Sequence, residues 1–252
     1  MLLVYCYNDL MENDKKLSIN TPTAIIVAGF VVMLAILITN GGGSGAGKIK
    51  TEVSKDKTLS EQVGIKKADF DACVQGTDKS ALQTKIAASV ESAMKALKPE
   101  ERGTPYAIVI GKNGSKAEIR GALPVEQVQA LIAEVTTGKV KTSYKGDVVL
   151  KEEGDHVYGN AEAPIVIIEY SDYECPYCGN FQPVIKQIVD GSNGGISWIY
   201  RHWPIHAGSL DKLIAAECVA KIKGNDAFWK YTDLLFALIN PTPAPAPTTS
   251  NL

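Results

Sequence analysis

Cys175 and Cys178 are separated only by Pro176 and Tyr177 in the stretch IEYSDYECPYCGNF, residues 168–181. The apolar run Ile165, Val166, Ile167, Ile168 leads directly into it. A strand that ends in C-x-x-C and continues as a helix places its first thiol at the helix N-terminus. Unpaired backbone N–H groups and the positive end of the helix dipole favour thiolate over thiol there. The second thiol sits one turn inside, close enough to close a disulfide, so the pair can store two electrons with little backbone movement. Cys175 is then the exposed attacking or attacked sulfur and Cys178 the resolving one, while Pro176 and Tyr177 shape the field at Cys175. Each unit by which a thiol pKa falls stabilises the thiolate by about 1.4 kcal/mol and makes that sulfur a better leaving group. The competing chemistry is zinc. His202 and His206 follow at H-x-x-x-H spacing and nominally complete a Cys2His2 set. A full helix and strand separate the two pairs, however, and nothing in the sequence makes them converge. Redox chemistry without metal or cofactor is the expectation.

The elements that must position these thiols follow from apolar periodicity. Residues 58–97 read as helix, with Leu82, Ile86, Val90, Met94 and Leu97 on one stripe, and Pro99 and Gly103 as stops. Residues 106–110 (YAIVI) and 117–120 read as a hairpin through Lys112-Asn113-Gly114. Pro124 opens a helix that ends near Gly138. Residues 142–163 are polar and punctuated by Gly146, Gly154 and Gly159, a linker with one edge strand expected at 148–150. Residues 165–170 form a strand, 179–190 a helix and 196–200 a second strand, parallel to the first if the helix crosses over. Two helices follow, one ending at Gly224 and one running to about residue 238.

The 252-residue chain is 45 % hydrophobic and 21 % charged, a globular composition. A net charge of −2 and the lack of a long basic run give no case for nucleic acid. Five cysteines suit one or two specific thiol pairs rather than a disulfide scaffold. Residues 24–38 carry no charge and, with their threonine flanks, approach the roughly 17-residue minimum of a membrane helix. An uncleaved N-terminal anchor is favoured over a removed signal peptide. Lys15 and Lys16 precede this segment, and Lys48, Lys50, Lys55 and Lys57 follow it. That bias alone would leave the soluble part in the cytoplasm. A thiol pair with a further candidate disulfide fits an oxidising compartment better, so the catalytic part is expected to be extracytoplasmic.

Residues 164–238 resemble the first half of DsbA-type thiol–disulfide oxidoreductases, thioredoxin-like proteins with an inserted helical domain. The resemblance rests on the buried strand, Glu169 six residues before Cys175, CPYC, WIYRHWPIH and AAECVAKIKGNDAFWKYTDLLF. Residues 59–136 resemble the other half, through SEQVGIKKADFDACV, GTPYAIVIGKNG and IRGALPVEQVQALIAEV. The resemblance implies that Thr104-Pro105 is the cis-proline loop lying against the active-site sulfurs. It also implies that Glu169 is a buried acid able to relay a proton to or from Cys178. Cys73 and Cys218 both fall in the helical insert, either as free core thiols or as a structural disulfide. Tyr177 stands where the family's best-known oxidant has histidine, which leaves a strongly oxidising potential open.

The two halves occur in reversed order, which predicts a circularly permuted α/β thioredoxin-like fold with an inserted helical subdomain and an N-terminal transmembrane helix. The segments are 1–20, an N-terminal stretch; 21–39, the anchor; 40–57, a flexible linker; and 58–100, the second part of the helical insert. Then come 101–137, the C-terminal half of the core; 138–163, the linker; 164–204, the CPYC half; 205–240, the first part of the insert; and 241–252, a Pro-rich tail. The implied activity is disulfide formation in exported cysteine-containing polypeptides, with a membrane quinone-linked thiol reoxidase as partner. The alternatives are an isomerase or reductase kept reduced by a membrane donor, and a non-catalytic or zinc-binding module.

Overall fold

The computed structural model describes residues 57–239. The expected anchor at 21–39, nearly all of the 40–57 linker and the Pro-rich tail lie outside the described residues. Among the described residues, no helix is long and apolar enough to cross a membrane.

Three helices open the described region: α1 (Leu59–Gln62), α2 (Lys67–Gln75) and α3 (Asp78–Ala96). The sequence pattern read residues 58–97 as helical without placing the breaks. Gly64 interrupts it by turning to φ +76°, and a second break at Gly76 and Thr77 separates α2 from α3. Thr58 caps α1 in a capping box with Glu61. A 3-10 turn (Pro99–Glu101) leads to the hairpin of β1 (Tyr106–Gly111) and β2 (Lys116–Arg120). Gly114, at φ +79°, makes the turn there. α4 (Val125–Thr137) starts after Pro124 and ends on Gly138 in the left-handed conformation.

The segment read as linker is in part a structural element. It contains β3 (His156–Gly159), which pairs antiparallel with the distant strand β5. Residues 148–150, the expected edge strand, are not a strand; Val148 is buried while Val149 and Leu150 face solvent. Side chains around β3 hold it in place. Arg201, 1 % exposed, bonds Asp155 through Nε (2.9 Å) and Nη2 (3.0 Å), and reaches Glu152 (2.9 Å) and the Tyr170 hydroxyl (3.2 Å) through Nη1. A buried guanidinium with carboxylates on both edges satisfies its desolvation and fixes the backbone that carries them.

β4 (Ile165–Ser171), α5 (Pro176–Gly191) and β5 (Ile196–His202) form a parallel β-α-β crossover, followed by α6 (Ser209–Lys223) and α7 (Asn225–Ile239). The sheet runs β2-β1-β4-β5-β3. Its central junction joins the two sequence halves: β1 pairs antiparallel with β4, with Tyr106 opposite Tyr170 and Ala107 opposite Glu169. Segments far apart along the chain thus share one sheet.

Period-two alternation sends neighbouring side chains to two cores. Ala107, Val109, Ile167, Trp198 and Tyr200 join the larger core, with Phe181 and Ile185 of α5 and Phe228 and Phe236 of α7. Ile108, Ile168, Tyr170 and Ile199 face the smaller one, beneath Ala93 and Leu97. The halves are also joined covalently. Cys73 on α2 and Cys218 on α6 form a disulfide with Cα atoms 5.9 Å apart and a sequence separation of 145. By loop-closure entropy such a crosslink is worth on the order of 5 kcal/mol.

Candidate active site

Cys175 is the N-cap of α5, and Pro176 occupies its first turn, where a missing N–H costs nothing. The helix thus begins three residues earlier than the apolar pattern indicated, and Cys178 lies inside its first turn. Both cysteines are free thiols, and both are buried: Cys175 is 3 % exposed and Cys178 fully covered. This corrects the expectation of an exposed Cys175. The solvent-facing part of the motif is Pro176 and Tyr177, the latter 63 % exposed.

The cover comes from the other half of the sequence. The Thr104-Pro105 peptide is cis, Pro105 is buried, and Cys175 Sγ stands 3.4 Å from the Thr104 carbonyl oxygen, to which it donates only as the protonated thiol. This contact follows from the β1–β4 register, which sets the residues before Tyr106 beside those after Tyr170.

Cys175 and Cys178 are driven in opposite directions. A hydrogen bond from Cys178, aided by the N–H groups of Cys178 and Tyr177, outweighs burial and lowers the Cys175 thiol to about 5. Burial, and the bond given to Cys175, push Cys178 well above the usual thiol range. One thiolate and one thiol therefore share the site near neutral pH. Glu169 is 1 % exposed, and alternation on β4 puts it on the same face as Ile167, toward the core that holds Cys178. Burial, with a smaller contribution from the charge on Cys175, raises its carboxyl to about 8.

One residue that shapes the site carried no sequence signal that we used. Asp172 is fully buried between β4 and the CPYC turn. Its Oδ1 accepts from the Glu174 N–H (2.8 Å) and Ser209 Oγ (2.5 Å), and its Oδ2 from the N–H groups of Ile205 and His206 and from His206 Nδ1 (2.8–2.9 Å). Burial opposes ionisation, but these donors hold its carboxyl below the usual range. Asp172 thereby pins the loop leaving β5 to the turn that presents Cys175. A short acidic residue between a strand end and a helix start was the available cue.

The histidines do not join the thiols. His206 is bound to Asp172 and His202 to Glu217, so a Cys2His2 centre is not assembled.

Fold and site together define a thioredoxin-like domain of the thiol–disulfide oxidoreductase class. It carries a helical insert, and residues 151–246 match the family model described as thioredoxin. Among curated proteins, the chain is 39 % identical over 84 residues to a Na(+)/H(+) antiporter NhaA 1 of Salinispora arenicola, covering 33 % of this chain. It is 33 % identical over 87 residues to an NhaA 1 of Mycolicibacterium gilvum, again covering 33 % of this chain. It spans only 13 % and 14 % of the length of those relatives. Among solved structures, Pseudomonas aeruginosa DsbA2 is 35 % identical over 34 % of this chain and 50 % of its own, with a TM-score of 0.31. Wolbachia pipientis alpha-DsbA1 is 26 % identical over 36 % of this chain and 46 % of its own, with a TM-score of 0.32.

Proposed function

We propose that the chain is a membrane-anchored, extracytoplasmic oxidase of exported polypeptides. The observation that carries this reading is the asymmetry of the thiol pair: a sulfur held at about 5, covered by the Thr104-Pro105 loop and backed by a strongly basic partner thiol. A stabilised thiolate favours the reduced pair, so the Cys175–Cys178 disulfide readily accepts electrons.

In the reaction, a substrate thiolate attacks Sγ of Cys175 in the oxidised pair, and the Cys175–Cys178 bond breaks. Cys178 leaves as a thiolate and takes a proton, which Glu169 would relay. A second substrate thiolate then attacks the substrate sulfur of the mixed disulfide, and Cys175 departs as the stable thiolate. Two substrate thiols have become a disulfide, and the enzyme pair holds the two electrons. The Thr104-Pro105 loop, Pro176 and Tyr177 would meet the substrate backbone, and a membrane quinone-linked reoxidase would restore the disulfide.

The anchor reading rests on residues 21–39, and the antiporter names of the curated relatives agree with a membrane setting. The reversed order of the halves is most simply a circular permutation cut within the helical insert, with old ends joined through residues 138–163. The clamp of Arg201 on Asp155 and Glu152 supports it, because a joining segment that packs on the sheet belongs to the same globule.

The test is the oxidation of a reduced, unfolded substrate by the full chain. Loss of activity in Cys175→Ser is expected; activity retained in that variant would sink the mechanism. A measured potential in the range of reductants would turn the reading to the isomerase or reductase alternative.

A further inference from the structure

Away from the thiols, a second set of chemistry-bearing side chains converges. His156 on β3, His202 on β5 and Glu217 on α6 each offer a ligand atom, all within 4.8 Å of one another. The Nε2 atoms of both imidazoles stand 2.8 Å from the same oxygen, Glu217 Oε1. The three residues are 6 %, 2 % and 2 % exposed. The His156 ring is locked against Phe228, with centroids 3.5 Å apart and planes 11° from parallel. A cavity of about 50 Å³ adjoins the cluster, bounded also by Glu152, Asp155 and Tyr200.

Two imidazole nitrogens and one carboxylate oxygen, on three different elements, are a donor set that suits zinc and its divalent neighbours and leaves a fourth position open. Ligand bonds of about 2.0–2.1 Å at tetrahedral angles put neighbouring donor atoms roughly 3.3 Å apart. The 2.8 Å contacts therefore need to open by about half an ångström, a side-chain adjustment. The position is already cationic. Lys85 of α3 reaches in from the other half of the chain, with Nζ 2.5 Å from Glu217 Oε2 and 3.3 Å from His156 Nε2. An ion held by all three donors and an ammonium this close repel each other. The Lys85 side chain is 31 % exposed, so it has solvent into which to withdraw.

We propose that His156, His202 and Glu217 form a binding site for a divalent transition-metal ion of the zinc class, and that Lys85 is the cation the metal displaces. Loading exchanges an ion pair between the two halves for a clamp on β3, β5 and α6.

The test uses the full chain in a Cys6→Ser background with the Cys175–Cys178 pair oxidised, so that no free thiol competes. Cobalt(II) and zinc(II) are the probes. One equivalent of cobalt with the intense visible bands of tetrahedral coordination, displaced by zinc, is the expected result. His202→Gln and Glu217→Gln should each weaken binding about 100-fold. Lys85→Met should tighten it about tenfold by removing the competing charge. Zinc should also raise the melting temperature of Lys85→Met more than that of the parent, a rescue that a purely structural ion pair does not give. Absence of stoichiometric binding to both parent and Lys85→Met would overturn the site, as would binding unaffected by His202→Gln. If Glu217→Gln fails to fold, the Lys85→Met arm decides, and unchanged or weaker affinity there refutes the displacement.

Discussion

Glu169 and Glu217 are buried to the same degree, at 1 % and 2 % exposure, yet their carboxyls are pushed in opposite directions. Glu169 has an oxygen with no hydrogen-bond partner among the described residues, and burial raises it to about 8. Burial acts on Glu217 too, but hydrogen bonds from His156 and His202 overcome it and hold the carboxyl well below the usual range. Depth alone does not set protonation; the partners supplied by neighbouring elements do. One carboxyl is pushed toward its neutral form by burial, whereas the other is held as an anion by its two imidazole partners.

The largest expected effect breaks the second environment. In the presence of chelator at neutral pH, Glu217→Gln takes from the buried His156 and His202 the carboxylate that both imidazoles bond and should cost about 3 kcal/mol of unfolding free energy. Glu169→Gln removes no paired charge and replaces a carboxyl whose burial opposes ionisation, so at the same pH it should raise the unfolding free energy rather than lower it. Denaturant unfolding of the two variants side by side measures the contrast, and equal losses would erase it.

The next effect concerns pH. A carboxyl raised from 4.5 to about 8 binds its proton more tightly folded than unfolded. Its contribution is complete below pH 4.5 and is lost as pH rises through about 8. The difference in stability between parent and Glu169→Gln, both with the CPYC pair oxidised, should therefore decline across that window, by up to about 1.4 kcal/mol per unit. A difference independent of pH would mean that Glu169 ionises like a surface acid.

The thiol pair gives a third measure. Reduction takes up two electrons and, where Cys175 stays a thiolate, only the proton that goes to Cys178. The midpoint potential should then fall by about 30 mV per pH unit above pH 5 and about 60 mV per unit below it. The steeper slope persisting to pH 8 would show that Cys175 is an ordinary thiol.

How much of this was legible beforehand depended on the range of the interactions. The hairpin, the C-terminal cap at Gly138 and the β-α-β unit were readable because Asn113-Gly114, Gly138 and the 165–168 run act locally. The breaks within the helical stretch 58–97 were not placed, since apolar spacing continues across Gly64 and Gly76 while the backbone does not. β3 escaped notice because four residues, His-Val-Tyr-Gly, carry little strand signal of their own; what holds them is β5 and Arg201, some 45 residues away. The Glu217 cluster was invisible for the same reason: His156 and Glu217 are 61 positions apart, and only the sheet order joins them. The two chemical motifs were plain. C-x-x-C carries its chemistry in its own spacing, though not the burial of Cys175, and Thr104-Pro105 was reached through the family resemblance.

The smallest effect tunes the site without rebuilding it. Tyr177 lies between the cysteines with 63 % of its surface in solvent, so replacing it disturbs no core contact. Its backbone N–H already helps to lower Cys175. Tyr177→His keeps that N–H and adds a ring that can carry positive charge next to the developing thiolate. Lowering the thiol by one further unit corresponds to about 1.4 kcal/mol, hence a potential about 30 mV more oxidising. Glutathione equilibration of the parent and variant should resolve a shift of this size. Glu169 lies beneath the other sulfur, and Glu169→Gln should leave the Cys175 titration nearly in place while altering the protonation of Cys178. A Tyr177→His variant with an unmoved potential would place control of the thiolate in Cys178 and the helix N-terminus, with the intervening dipeptide serving only as substrate-facing surface.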